Sequence, residues 1–140
     1  WAPGRTFDVV ILDAPCSGTG TISRHPDILR LKRPADVRRL AEVQSVMLRG
    51  AAALVRPGGT LVYSTCSLEP EEGRAQIDVL LEHEPAFARV PIEAHQIGAE
   101  PAWLADGDVR TLPFHLKGGE PGTYAGGLDG FYIARLARRA

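Results

Sequence analysis

An α/β fold built around a parallel crossover follows from three features of this 140-residue chain. Two apolar, β-branched runs, Phe7 to Ala14 and Thr60 to Cys66, have the composition of strands. Between them, apolar residues recur at helical spacing from Val37 to Val55. Strand, helix and strand in that order make a parallel crossover, which is nearly always right-handed. A hydrophobic content of 44% and a charged content of 24% suit one modest globular domain.

The first run is uninterrupted enough to predict a strand buried on both faces. Pro15 to Gly20 cannot continue it and read as a loop, and residues 21–32 are mixed, a short helix or an irregular segment. Pro34 suits the first position of a helix, with Asp36 in the first turn where the helix dipole favours it. Arg33 lacks the side-chain oxygen of a usual cap. Val37, Leu40, Gln44, Met47, Leu48, Ala51, Leu54 and Val55 then form one face, and Pro57-Gly58-Gly59 is expected to end the helix and feed the second strand. Pro70 with Glu71 and Glu72 marks another helix start, with Ile77, Leu80 and Leu81 as its apolar face and Pro85 as its limit. Short strands are expected around Phe87–Pro91 and Val109–Phe114, a Gly-rich excursion over Lys117–Gly127, and a final strand over Phe131–Leu136. Tyr63, Phe131 and Tyr132 fall in strand patterns and read as core. Neither an internal repeat nor a linker between domains is visible.

Composition excludes several function classes. No apolar run approaches the roughly 20 residues that cross a bilayer, and no signal-peptide pattern opens the chain. Two cysteines are too few for a disulfide scaffold, which fits a reducing cytoplasm. A formal net charge of −1 gives no global drive toward nucleic acid, so affinity for RNA must come from local patches such as Arg24, His25, Arg30, Lys32 and Arg33.

The two cysteines are the candidate reaction centre. Cys16 and Cys66 each follow a strand run that breaks into small, polar and Pro/Gly residues. Ligands bind at the carboxyl ends of parallel strands in open α/β sheets, so both thiols are delivered to that edge. Metal binding is disfavoured, because no His or second Cys stands at ligand spacing. The residues alone leave other readings open. A thiol redox centre needs a low-pKa cysteine and a resolving partner, Cys16 serving only if the two sulfurs approach closely, and the absence of a Cys-x-x-Cys argues against it. An acyl-transfer enzyme needs a His beside Cys66, and His25, His83, His95 and His115 have no evident reason to be there. Asp13, at the end of the first strand, is either a ligand-facing carboxylate or a turn-former.

Asp13-Ala14-Pro15-Cys16-Ser17-Gly18-Thr19-Gly20 and Ser64-Thr65-Cys66-Ser67 resemble the two cysteine motifs of the Sun/Nop2 RNA cytosine-5 methyltransferases. Arg24-His25-Pro26-Asp27, Pro57-Gly58-Gly59, Glu69-Pro70-Glu71-Glu72 and Asp129-Gly130-Phe131-Tyr132 resemble the family's pattern in the same order, while Gly73 stands where the family often has Asn. The resemblance implies a Rossmann-like methyltransferase fold whose mixed sheet is mostly parallel with an antiparallel final strand. It also implies S-adenosyl-L-methionine as cofactor and RNA as partner, 16S ribosomal RNA ahead of transfer RNA. By the same resemblance Cys66 is the nucleophile, Cys16 assists product release, and Asp13 lies near both cofactor and base. The helix after Cys66 is expected to favour its thiolate, partly opposed by the acidic residues around Glu69–Glu72. The chain opens on Trp1, and a strand–turn–helix cradle for the cofactor is not visible ahead of Phe7. Residues 1–140 are therefore expected to form the C-terminal portion of one methyltransferase domain. As an isolated chain it is expected to be inactive, at most a weak RNA-binding module, and to self-associate through an exposed sheet edge.

Overall fold

A computed structural model describes residues 4–115 and 127–140. Strand β1 spans Phe7–Asp13, and a single turn, α1, spans Ile28–Leu31. The long helix α2 spans Pro34–Ala53, and β2 spans Val55–Thr65. Helix α3 covers Arg74–His83, β3 covers Phe87–Arg89 and α4 covers Ala94–Ile97. The short strands β4 (Leu104–Ala105) and β5 (Asp108–Arg110) precede the closing strand β6 (Tyr132–Arg138).

One mixed sheet runs in the order β1-β2-β6-β5-β4, with β3 also pairing to β6. The crossover through α2 makes β1 and β2 parallel, as expected of strand–helix–strand. The closing strand is antiparallel to β2, and the remaining ladders among the described residues are antiparallel too. This is the mixed α/β, Rossmann-like sheet with the expected antiparallel closing strand. Among the described residues, however, only the β1–β2 ladder is parallel, because β3, β4 and β5 join through β6 rather than by further crossovers. Helices α2 and α3 cover one face, where Leu48, Ala51, Ala52, Val55, Leu61, Tyr63, Ile77 and Leu80 form the core with Tyr132, Ala134 and Leu136.

Helix α2 starts as read, with Pro34 at its first turn. Its end carries no oxygen from Arg33, but Asp36 Oδ2 accepts the Arg33 backbone N–H at 2.9 Å, satisfying one of the free donors there.

Several expectations are corrected. β1 is not buried on both faces: Val9 is 56% and Ile11 70% exposed, because among the described residues the strand pairs only with β2 and lies at the sheet edge. Pro57-Gly58-Gly59 does not separate helix from strand. It lies within β2, where the register with β1 slips between Phe7↔Val55 and Val9↔Thr60. Gly58 takes φ 73°, so this is a bulge that needs glycine. Pro70–Glu72 is a 3₁₀ turn, and the α-helix proper begins at Arg74. The expected excursion over Lys117–Gly127 lies almost wholly outside the described residues.

Candidate active site

The carboxyl ends of β1 and β2 are adjacent, and the bond from Ala14 N to Ser64 O at 2.9 Å extends the pairing past the last residue of β1. Each chain then turns into its cysteine loop. Cys16 Sγ and Cys66 Sγ lie 3.3 Å apart and both side chains are partly buried. The two thiols that the sequence singles out are thus brought together. Among the described residues no histidine is hydrogen-bonded to either sulfur, and His83 and His115 make their ring contacts elsewhere.

Burial, first of all, and the neighbouring Cys66 sulfur push the Cys16 thiol up to about 12, against a weaker pull from the backbone amides of Gly18 and Cys66. At neutral pH Cys16 therefore keeps its proton, and the two sulfurs face each other within hydrogen-bond distance.

Both loops are fixed by one buried side chain that the sequence reading places only in an acidic run. Glu72 has no exposed surface. Its carboxyl oxygens accept the Ser17 backbone N–H at 3.0 and 3.1 Å, the Ser17 hydroxyl at 2.5 Å and the Ser67 hydroxyl at 2.6 Å. Gln44, also fully buried, donates its amide to Glu72 Oε1 at 3.0 Å and to the Pro15 carbonyl at 2.8 Å. Tyr63 donates its hydroxyl to the Glu72 carbonyl at 2.7 Å. Burial, then the Glu72 charge, holds the Tyr63 phenol above its ordinary range, so it remains a donor. Glu72 therefore does not act as an exposed acid at a helix start; it points inward. The one sequence signal was Gln44, an amide in the apolar stripe of α2, where a polar residue demands a buried partner.

Backbone contacts complete the loops. Gly20 N donates to Cys66 O at 3.0 Å, and Gly130 N donates to Gly20 O at 2.8 Å. A Cβ on Gly20 would stand 1.8 Å from Gly130 O and 2.8 Å from Cys66 O. The space at Gly20 is thus taken by the chain's own backbone. Arg110 holds the Ser67 and Leu68 carbonyls at 2.7 and 2.6 Å.

Asp13 ends β1 with its side chain exposed, and its Oδ1 accepts the Ser64 hydroxyl at 3.0 Å. A trough of about 520 Å³ runs along β1, lined by Val9, Ile11, Leu12, Met47, Ala51 and Leu54 among others, all apolar. Asp13 fits one polar contact to a methyl donor at this edge, whereas an apolar trough does not fit the ribose and amino-acid groups of S-adenosylmethionine. The described residues supply one edge of such a site rather than a whole one. Of the basic strip, Arg24 is paired with Asp129. Lys32 and Arg33, with Arg38, line a cleft of about 380 Å³ shared with Thr19, Glu69 and Glu71.

Comparison with known proteins decides the family. The family described as 16S rRNA methyltransferase RsmB/F matches residues 1–137. This chain belongs to the RsmB/F family. Ribosomal RNA small subunit methyltransferase B of Vibrio cholerae serotype O1 is 40% identical over 139 residues, which is 99% of this chain and 27% of that protein. The same-named protein of Salmonella paratyphi B is 40% identical over 141 residues, 28% of its length. The RsmB/F chain thus spans about a quarter of the curated relatives it matches. Among solved structures, PH0851 superposes with a TM-score of 0.73 at 33% identity, over 92% of this chain and 26% of that one. NSun6 from Pyrococcus horikoshii, solved with SFG, superposes with a TM-score of 0.69 at 25% identity, over 98% and 31%. Among the described residues no helix is long and apolar enough to cross a membrane, and no cluster of side chains could hold a metal ion.

Proposed function

We propose that this chain is the C-terminal portion of the catalytic domain of a cytoplasmic, S-adenosylmethionine-dependent RNA cytosine-5 methyltransferase. Its substrate is ribosomal RNA, 16S RNA ahead of transfer RNA. The observation that carries the reading is the 3.3 Å contact between Cys16 and Cys66 at the ends of two adjacent parallel strands. Family membership and the length of the relatives support it, and the cofactor cradle is assigned to the remainder of the longer protein.

Carbon 5 of cytosine is too electron-poor to take a methyl group unaided. The Cys66 sulfur adds to carbon 6, forming an S–C6 bond, and the ring electrons move so that carbon 5 becomes enamine-like and nucleophilic. Bound S-adenosylmethionine supplies an electrophilic methyl group. Carbon 5 then loses its proton to a base, its electron pair restores the C5–C6 double bond, and the S–C6 bond breaks with its electrons returning to Cys66. Cys16, facing that sulfur at 3.3 Å, is assigned to assist this release. Asp13 is assigned a hydrogen bond to the cytosine amino edge. A paired base cannot reach these loops, so the target is single-stranded or flipped out at a cost of about a few kcal/mol. Lys32, Arg33 and Arg38 are assigned to the RNA backbone.

The test uses the full-length protein and RNA carrying 5-azacytidine. A covalent adduct that disappears in Cys66→Ser and persists in Cys16→Ser is the expected result. An adduct that survives Cys66→Ser overturns the assignment. A second reading, thiol redox chemistry, is favoured by the same short contact, which meets one of that reading's two conditions, a resolving partner within reach. A wild-type protein that forms no adduct but cycles between dithiol and disulfide with turnover of a thiol substrate would establish it instead.

A further inference from the structure

Every residue flanking the two cysteines is tied to the Glu72–Gln44 pair. Pro15 is held through its carbonyl by Gln44, and Ser17 through both its N–H and its hydroxyl by Glu72. On the other loop Ser67 donates its hydroxyl to Glu72 Oε2 at 2.6 Å, and Thr65 reaches the Glu72 carbonyl at 3.5 Å. Glu72 lies on neither loop. It sits on the 3₁₀ turn Pro70–Glu72, so it acts as a third body gripping both. Its two oxygens have shared duties: Oε1 takes Gln44 and Ser17, while Oε2 takes both serine hydroxyls. A mere space-filler would not need two acceptors facing donors on separate loops, and a buried acceptor set this complete restricts each loop to one arrangement.

We propose that Glu72 is the positioning residue that sets the Cys16–Cys66 separation. It acts through Ser17 and Ser67 rather than by touching a reacting atom. The inference rests on reading the two thiols as a working pair, but not on methyl transfer, and its test measures the sulfur gap directly. In Glu72→Gln one acceptor becomes an N–H₂ group that faces a donor, so at least one loop is released while side-chain volume is kept.

The readout is the rate at which diamide closes the pair in the full chain. Two thiols lose two protons and two electrons to form the Cys16–Cys66 disulfide, and the diazene is reduced to the hydrazine. Glu72→Gln is expected to slow closure about tenfold or more. Ser17→Ala with Ser67→Ala removes the two hydroxyl tethers and is expected to slow it about fivefold, which decides the matter if Glu72→Gln does not fold. Leu80→Ala, a buried substitution on α3, lowers stability without touching the tethers and is expected to stay within twofold of wild type. The proposal is overturned if a folded Glu72→Gln, or failing that the double serine variant, closes within twofold of wild type. It is equally overturned if Leu80→Ala slows closure as much as they do. Because no methyl donor or RNA enters the assay, a failed adduct test and a failed closure test report different things.

Discussion

The two flanks of β2 are built from the same kinds of residue and end in opposite states. On the β6 flank the strand has a paired neighbour, and Leu61, Tyr63, Ala134 and Leu136 are almost wholly buried. On the β1 flank no further strand pairs with the partner strand among the described residues, and Val9 and Ile11 face outward beside Met47 of α2. Helix α2 straddles both: Leu48 is 1% exposed and Met47, its neighbour in sequence, 39%. The contrast teaches that the site belongs to the closed flank. Its loops hang from buried polar bonds and backbone staples, while the open flank is apolar surface of the kind that marks an interface.

The sharpest way to break the closed flank is Gly20→Ala, whose Cβ would collide with backbone that cannot swing aside. It is expected to cost about 3 kcal/mol or to prevent folding, read as a fall in the urea midpoint. A midpoint equal to wild type would mean that the two loops do not meet as described. Next comes the paired test on α2. Leu48→Ala should cost about 3 kcal/mol by opening a cavity, and Met47→Ala should stay within about 0.5 kcal/mol. Equal losses would erase the distinction between the flanks.

A smaller effect sharpens the electrostatics of the closed flank. The Cys16 thiol is held protonated in the folded chain above its ordinary value of 9.0, up to about 12. Between those values the folded state binds more protons than the unfolded one, so stability is fully present below pH 9 and is lost as pH rises toward 12. Tyr63 and Tyr132 are also held above their ordinary range by burial and add to the alkaline loss. The diagnostic is therefore the difference between proteins: chemical denaturation from pH 8 upward should decline more steeply in wild type than in Cys16→Ser. Parallel curves would leave the buried thiol without a role in that decline. The least costly change is on the open flank. Ile11→Lys is expected to leave stability within about 0.5 kcal/mol, yet to abolish self-association seen by sedimentation at high concentration. An unchanged sedimentation profile would move any association away from β1.

Much of this was legible because periodicity and strand-end chemistry are local. The crossover, Pro34 at the start of α2 and the delivery of both thiols to one sheet edge follow from runs of a few residues and a handedness rule. The antiparallel closing strand, in contrast, is implied by the family resemblance, and the close approach of the two sulfurs is left open by the residues alone. What failed to read was long-range. Whether β1 is buried depends on a neighbour that no residue of β1 encodes, and the same Val9 and Ile11 suit a central strand equally well. Pro57-Gly58-Gly59 has the composition of a helix stop, and only pairing with β1 turns it into a bulge. Glu72 looks like any acid beside Glu71. Its inward course is set by donors 28 and 55 positions away in sequence, and only Gln44, misplaced in an apolar stripe, hinted at them.

The hydrogen bond from Gly130 to Gly20 also imposes an order on biosynthesis. A ribosome delivers both thiols well before it delivers Gly130, so this staple closes onto a loop made much earlier. The Glu72 and Gln44 tethers are all in place in the chain before that late glycine arrives, so Gly130 adds the final staple to loops already gripped from within.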